Sequence, residues 1–145
     1  MADPYMPASK SDTHITPDEV FIEIWNNWGI AEEDFFDPCP VGATDGLEID
    51  WKELKYVNPP YGDGKKNLDG DTLLTRFVRK ALDEVKNGHT TIMLMPSKTD
   101  QNWFHLLDNF GFLEGEHIHW FDHRLKFKNN KWSATQPHFL VRIAP

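Results

Sequence analysis

The stretch that decides the fold is Lys55-Tyr56-Val57-Asn58-Pro59-Pro60-Tyr61-Gly62. Its first three residues predict a short strand, and the two prolines end it because neither can donate a hydrogen bond to a sheet. Apolar residues at helical spacing follow between positions 73 and 85, and the apolar run 90–95 then predicts a central strand that stops at Pro96. Strand, loop, helix and strand in this order indicate an α/β domain.

Further elements extend this unit in both directions. Thr16 is a candidate N-cap for a helix that runs to Gly29, and Asp100 is a candidate cap for a third helix. The remaining predicted strands are Phe35-Phe36, 118–121, 124–127 and 138–143, with a turn at Asn129-Asn130. We predict a three-layer α/β/α fold with a mostly parallel sheet and a C-terminal antiparallel hairpin. One domain is expected over residues 14–145, after a flexible segment 1–13.

Three predicted strands end in residues that suit a binding site. Asp37, Asn58 and Pro96 each come directly after a strand. Because α/β sheets bind ligands beyond the carboxyl ends of their strands, we expect the three loops to converge on one crevice.

The Asn58 to Tyr61 loop has a specific chemical capacity. Two consecutive prolines restrict the backbone, so the Asn58 amide oxygen and the Pro59 carbonyl are two acceptors held in one direction. Such a pair fits a planar NH₂ group, and Tyr61 offers a face on which a ring can stack. A proline-stiffened turn with an aromatic lid is the structural alternative.

Two acceptors on an aromatic amine free its nitrogen lone pair for nucleophilic attack. The matching electrophile is the sulfonium methyl group of S-adenosylmethionine, and positioning with electrostatics would supply the rate enhancement. An amino group in a duplex is paired and stacked, so the target base would have to be flipped out or single-stranded.

The chain resembles the phage-type DNA N6-adenine methyltransferase family from about Thr16 to Val141. The likeness includes the opening Thr-Pro pair and the Asn-Pro-Pro-Tyr loop, in the family's order. The other similar segments are Phe36-Asp37-Pro38-Cys39, Asp45-Gly46-Leu47, Pro96-Ser97-Lys98-Thr99-Asp100 with Trp103, Arg124-Leu125-Lys126-Phe127 and 137–141.

This resemblance implies a reduced Rossmann-like methyltransferase fold that methylates adenine in DNA. It implies a catalytic loop of Asn58, Pro59, Pro60 and Tyr61. The cofactor-binding residues that it implies are Thr16, Pro17, Asp37, Pro38, Cys39, Asp45, Leu47 and Asn58. The sequence departs from many methyltransferases in lacking a Gly-x-Gly loop after the first strand, and only 20 residues separate Asp37 from Asn58. A viral, plasmid or prophage setting also follows from the resemblance alone.

The charge distribution favours a nucleic-acid surface in the second half of the chain. Net charge is −8, yet residues 1–64 hold 3 Lys/Arg against 14 Asp/Glu, whereas residues 65–145 hold 12 against 9. The candidate DNA-binding residues are Lys98, Arg124, Lys126, Lys128 and Lys131. Exposed lysines that protect sheet edges are the alternative.

Other function classes stay open at this stage. The same loop chemistry fits a protein-glutamine methyltransferase, and a non-catalytic methyltransferase-like module that binds nucleic acid or metal is a third interpretation. His117, His119 and His123 supply the metal hypothesis, but the proposed reaction needs no metal and none is assigned. A single cysteine, no apolar run of about 20 residues and no signal peptide indicate a cytoplasmic protein without a membrane partner. We expect a monomer or small homo-oligomer, and no sequence feature selects between them. The sequence does not identify a restriction nuclease partner.

Overall fold

A computed structural model describes residues 15–35, 47, 53–59 and 66–145. The predicted flexible segment 1–13 lies outside these residues. So does most of the predicted strand Phe35-Phe36, of which only Phe35 is described, and Phe35 is not in a strand.

The described residues form three α-helices and four strands. These are α1 (Asp18–Trp28), β1 (Leu54–Val57), α2 (Leu73–Val85), β2 (Thr90–Pro96), α3 (Asn102–Asn109), β3 (Ile118–Trp120) and β4 (His138–Ile143). Short 3₁₀ helices occur at Glu32–Asp34 and Gly115–His117. The sequence patterns therefore located each of these seven elements to within one or two residues. No helix among the described residues is long and apolar enough to cross a bilayer.

The sheet is mixed, with strand order β1-β2-β4-β3. β1 runs parallel to β2, and Val57 pairs with Met93. β4 is antiparallel to both of its neighbours, with Pro96 opposite His138 and Trp120 opposite Phe139. The α/β class is confirmed, but the described residues contain one parallel pairing and two antiparallel ones, so a mostly parallel sheet is not confirmed. A long loop brings the first residue of β4 to the carboxyl end of β2. β4 therefore runs back along β2 in the antiparallel direction.

Two apolar clusters give the domain three layers. On one face α2 and α3 pack on the sheet, where Phe77 and Trp103 are buried with Met93 and Phe139. On the other face α1 packs on Tyr56, Ile92 and Leu94. Alternate strand residues lie on opposite faces, so β1, β2 and β4 each contribute to both clusters.

The C-terminal antiparallel pair is formed by β3 and β4, and residues 121–137 connect them. The prediction of a strand at Arg124 to Phe127 is wrong, because this segment is extended without sheet pairing. Its Leu125 and Phe127 are buried in the α1-side cluster, which explains the alternating pattern that indicated a strand. A turn occurs one residue earlier than the predicted Asn129-Asn130, at Lys128-Asn129, where Asn130 N donates to Phe127 O at 3.0 Å.

Helix ends follow local rules in some places and tertiary contacts in others. α1 ends at Gly29, whose φ of +67° suits glycine. Thr72 caps α2 by accepting a hydrogen bond from Thr75 N at 3.4 Å. Asp100 does not cap α3, because the helix begins one residue later than expected and Gln101 is its N-cap.

A buried lysine lies on the strand that leads to Asn58. The Lys55 side chain has no exposed surface, and its Nζ lies 3.9 Å from Glu84 Oε1 on α2. Glu84 Oε1 also contacts His89 Nδ1 at 2.7 Å. Burial is the main cause that lowers the pKa of Lys55 to about 8, against a favourable effect of Glu84.

Candidate active site

Asn58 and Pro59 follow β1 directly, at the carboxyl edge of the sheet. Pro59 is buried, whereas Asn58 is partly exposed. The Asn58 amide is therefore not enclosed in the packed interior. The other two residues of the predicted catalytic loop, Pro60 and Tyr61, lie outside the described residues.

A hydrogen-bonded group surrounds the Asn58 side chain. Asn58 Nδ2 donates to Thr16 Oγ1 at 3.2 Å, and Thr16 Oγ1 also bonds with the Tyr56 hydroxyl at 2.8 Å. Thr16 precedes α1, so the start of that helix is joined to the end of β1. The expectation that Thr16 caps α1 is wrong. The N-cap position is Pro17, without a side-chain hydrogen bond, and the Thr16 hydroxyl turns to the strand instead.

Tyr56 is fixed by aromatic packing as well as by its hydroxyl. Its ring centroid lies 4.9 Å from that of Phe21 on α1 and 5.9 Å from that of Phe35. The Tyr56 side chain is almost fully buried. A rigid buried tyrosine thus presents one oxygen to Thr16 at the edge of the site.

The carboxyl edge gathers further residues beside Asn58. Parallel pairing places the ends of β1 and β2 at the same edge, and Ser97 N donates to Pro137 O at 2.8 Å just before β4 begins. His138, opposite Pro96, is buried and its ring lies edge-on to Phe127 at 5.3 Å. Two of the three loops expected to converge, after Asn58 and Pro96, therefore share this edge. The third, at Asp37, lies outside the described residues.

The predicted cofactor residues are only partly described. Thr16, Pro17 and Asn58 lie together, as set out above. Leu47 packs on the cluster beneath α2 and α3, on the opposite face of the sheet from Thr16. The structure does not bring Leu47 together with Thr16 and Asn58. Asp37, Pro38, Cys39 and Asp45 lie outside the described residues.

The predicted DNA-binding residues are all exposed. Arg124, Lys126 and Lys128 alternate with the buried Leu125 and Phe127, so their side chains share the solvent side of one extended segment. The other two are Lys98, just after β2, and Lys131.

The Lys128 side chain is already held by a carboxylate. Its Nζ lies 2.7 Å from Asp18 Oδ1, and that hydrogen bond raises the pKa of Lys128. Lys128 N also donates to Ile15 O at 3.0 Å, and Ile15 N donates to Asn129 Oδ1 at 3.0 Å. The loop after Phe127 is thus hydrogen-bonded to the segment that carries Thr16.

A cavity of about 350 Å³ lies within this loop. Lys131 is the one cation of its lining among the described residues, and no carboxylate contributes there. The lining residues are Phe127, Asn129, Asn130, Lys131, Trp132, Ser133, Ala134, Thr135, Gln136 and His138. The Trp132 side chain is 74% exposed, and Lys131 Nζ lies 5.3 Å from its ring centroid. A cation beside an open aromatic face is typical of surfaces that bind nucleic acid.

The three histidines of the metal hypothesis have separate surroundings. His123 contacts Asp122 Oδ1 at 2.8 Å and Glu19 Oε1 at 2.5 Å, and these two hydrogen bonds raise its pKa. His119 lies 3.8 Å from Glu23 on α1, and His117 packs edge-on against a phenylalanine ring. Within residues 15–35, 47, 53–59 and 66–145, no group of three or more His, Cys, Asp or Glu side chains could hold a metal ion.

Sequence reasoning missed two residues at this edge, Tyr56 and His138. A signal existed for both, since residues two apart on a strand face the same side of the sheet. Tyr56 is two residues before Asn58, and His138 is two before Leu140 of the α1-side cluster. The contact of Tyr56 with Thr16 could not be predicted, because the two residues are 40 positions apart in the chain.

The described residues place Asn58-Pro59 at the end of a strand in an α/β domain. The family model described as DNA N-6-adenine-methyltransferase (Dam) matches residues 4–138, so the chain belongs to this family. Membership makes the protein, in general terms, a DNA N6-adenine methyltransferase with DNA as its substrate. Comparison with curated proteins and with solved structures gives no match.

Proposed function

We propose that the protein transfers a methyl group from S-adenosylmethionine to the N6 amino group of a flipped-out adenine, at specific DNA sequences. Asn58, Pro59, Pro60 and Tyr61 form the catalytic loop in this proposal. The observation that carries it is the partly exposed Asn58 amide at the carboxyl edge of β1, in a chain that belongs to the Dam family. The layered α/β domain and its parallel β1–β2 pair support a reduced Rossmann-like methyltransferase fold.

The protein's contribution to the reaction is the placement of two acceptors. The Asn58 amide oxygen and the Pro59 carbonyl each accept one hydrogen of the adenine NH₂, which withdraws that nitrogen's lone pair from the ring. When bound, S-adenosylmethionine supplies a methyl group on a positively charged sulfur. The Asn58 and Pro59 oxygens would hold the amino nitrogen for in-line attack on that methyl group, and the proton that the nitrogen loses would pass to solvent. Positioning and electrostatic stabilisation supply the rate enhancement.

The described part of the site suits such a cofactor. Thr16, Pro17 and Asn58 lie at the carboxyl edge, where α/β sheets bind their ligands. The family resemblance adds Asp37, Pro38, Cys39, Asp45 and Leu47 to the cofactor site. Leu47 packs on the other face of the sheet, so we expect it to support the fold of this region rather than to share the contacts of Thr16.

The DNA contact is proposed for the exposed cations that the sequence analysis named. Lys98, Arg124, Lys126 and Lys131 would meet phosphates, with Lys128 contributing less because Asp18 already holds it. The carboxylate-free cavity beside Trp132 is complementary to a polyanion, although the whole chain carries a net charge of −8. The loop of residues 127–136 would then contribute to sequence selection.

A methylation assay with a matched pair of asparagine variants tests the proposal. Labelled S-adenosylmethionine is incubated with unmethylated duplex and single-stranded DNA, and the label is recovered as N6-methyladenine. Asn58→Ala is expected to abolish the label in a folded protein. Asn87→Ala is the control, because Asn87 is exposed beside the amino end of β2, at the opposite edge of the sheet.

Two results would contradict the proposal. Label in N6-methyladenine at the wild-type rate with Asn58→Ala would remove Asn58 from the chemistry. Label on a glutamine side chain of added protein, with none on DNA, would assign the loop to a different substrate.

A further inference from the structure

The Thr16 hydroxyl lies between the candidate catalytic amide and a buried tyrosine. It accepts a hydrogen bond from Asn58 Nδ2 at 3.2 Å and contacts the Tyr56 hydroxyl at 2.8 Å. We propose that Thr16 is a positioning residue, which fixes the orientation of the Asn58 amide so that its oxygen faces the target amino group. This inference rests on the proposed methyltransferase function, and it assigns Thr16 a positioning role in place of the cofactor contact that the family resemblance implies.

Orientation matters because the two ends of an amide have opposite hydrogen-bonding character. Nδ2 carries only hydrogens to donate, whereas Oδ1 only accepts. An adenine NH₂ also donates, so an amide rotated by 180° would bring donors against donors. With Nδ2 on Thr16, Oδ1 lies on the other branch of the planar group and points away from the Thr16 hydroxyl. The side of the amide that faces away from Thr16 therefore carries an acceptor and not a donor.

Thr16 can impose this orientation because it is itself held on both sides. Its neighbour Ile15 is hydrogen-bonded to the loop after Phe127. Lys128 N donates to Ile15 O, and Ile15 N donates to the Asn129 side-chain oxygen Oδ1, each at 3.0 Å. On the other side, Tyr56 is packed against Phe21. The Thr16 hydroxyl therefore has a fixed place relative to β1.

Conservative variants separate positioning from cofactor binding. Thr16→Val keeps the shape of the side chain but removes the hydroxyl, and Thr16→Ser keeps the hydroxyl. One hydrogen bond of about 1 kcal/mol corresponds to roughly a fivefold effect. We expect Thr16→Val to lower kcat for DNA methylation by about fivefold, with the Kd for S-adenosylmethionine unchanged in calorimetric titration. Thr16→Ser should restore kcat.

A double-variant comparison tests orientation directly. Asn58→Asp replaces the amide with a carboxylate, whose two oxygens are equivalent acceptors. Thr16→Val should therefore reduce kcat less in the Asn58→Asp background than in the wild type. Equal reductions in both backgrounds would overturn the orientation role.

An NMR measurement gives a readout besides turnover. The Asn58 side-chain NH₂ resonances are identified by their loss in Asn58→Ala. They should shift and exchange faster with water in Thr16→Val but not in Thr16→Ser, as expected when a donor loses its acceptor. Unmoved resonances in Thr16→Val would overturn the proposed contact.

The outcomes distinguish this inference from the proposed function. A weaker Kd for S-adenosylmethionine with kcat unchanged in Thr16→Val would place Thr16 on the cofactor and overturn the positioning role. Full activity in Thr16→Val with an inactive Asn58→Ala would also overturn it, while leaving the proposed function intact. Wild-type activity in Asn58→Ala would instead refute the proposed function and, with it, any catalytic positioning by Thr16.

Discussion

The burial of Lys55 predicts a stability increase at alkaline pH that a single substitution should remove. Its pKa falls from 10.5 to about 8, chiefly because the side chain is buried. A difference of about 2.5 in pKa corresponds to about 3 kcal/mol. Between these two pKa values the unfolded chain binds more protons than the folded one, so the free energy of unfolding rises with pH. The penalty for burying the charge is fully present below pH 8 and absent above pH 10.5.

The assay is urea unfolding at several pH values from 7.5 to 10.5, approximately the range that these two pKa values define. We expect Lys55→Met to lack about 3 kcal/mol of the rise seen in the wild type. Lys86→Met is the matched control, because the Lys86 side chain is 81% exposed. Both variants lose one lysine, so the difference between them reports the burial at position 55. Parallel curves for wild type and Lys55→Met would refute a buried, titrating Lys55.

Four further predictions use the same structure. Trp103→Ala empties a fully buried position and should lower the free energy of unfolding by about 3–5 kcal/mol in urea titrations; a loss below about 1 kcal/mol would contradict that burial. Gly29→Ala places a side chain at φ +67° and should cost about 1–2 kcal/mol, measured by thermal unfolding, and an unchanged Tm would count against this backbone geometry. His123 has a raised pKa, so its stabilising contribution is fully present below pH 6.5 and is lost as pH rises through the pKa of the folded state. His123→Gln should flatten the dependence of the free energy of unfolding on pH in that range. An unaltered dependence would refute the two carboxylate contacts. Lys131→Ala should weaken DNA binding and reduce by about 1 the slope of the logarithm of the binding constant against the logarithm of salt concentration. Lys128→Ala should have the smaller effect. The reverse order in titrations at several salt concentrations would exclude this assignment.

Local sequence patterns determined most of the secondary structure. The α2 helix and the strands β2 and β4 were predicted with nearly the observed bounds, because each has a period or an apolar run that one short segment contains. The Asn-Pro-Pro-Tyr loop was readable for a related reason. Proline geometry and amide chemistry belong to the residues themselves, so Asn58 could be named as the candidate catalytic group from its neighbours alone.

Patterns failed where alternation has two physical causes. Arg124 to Phe127 alternates exposed and buried residues. The buried ones pack in the α1-side cluster, and the segment joins no sheet. Trp25 has helical spacing yet is 58% exposed, because the apolar stripe of α1 is wider than the face that the sheet covers. Periodicity identifies residues that share a side, and only packing decides whether a partner covers that side.

The sequence by itself determined the class of domain and the family, and it predicted the acceptor loop from Asn58 to Tyr61. The tertiary structure decided which distant groups meet that loop. Thr16 is hydrogen-bonded to Tyr56 and Asn58, about 40 residues further along the chain. Local sequence rules had instead predicted that Thr16 caps a helix. Asp18 holds Lys128, and Leu47 packs on the far face of the sheet. The physical reason is that hydrogen bonds and charge pairs depend on distance in space, and chain folding sets those distances through the packing of whole elements.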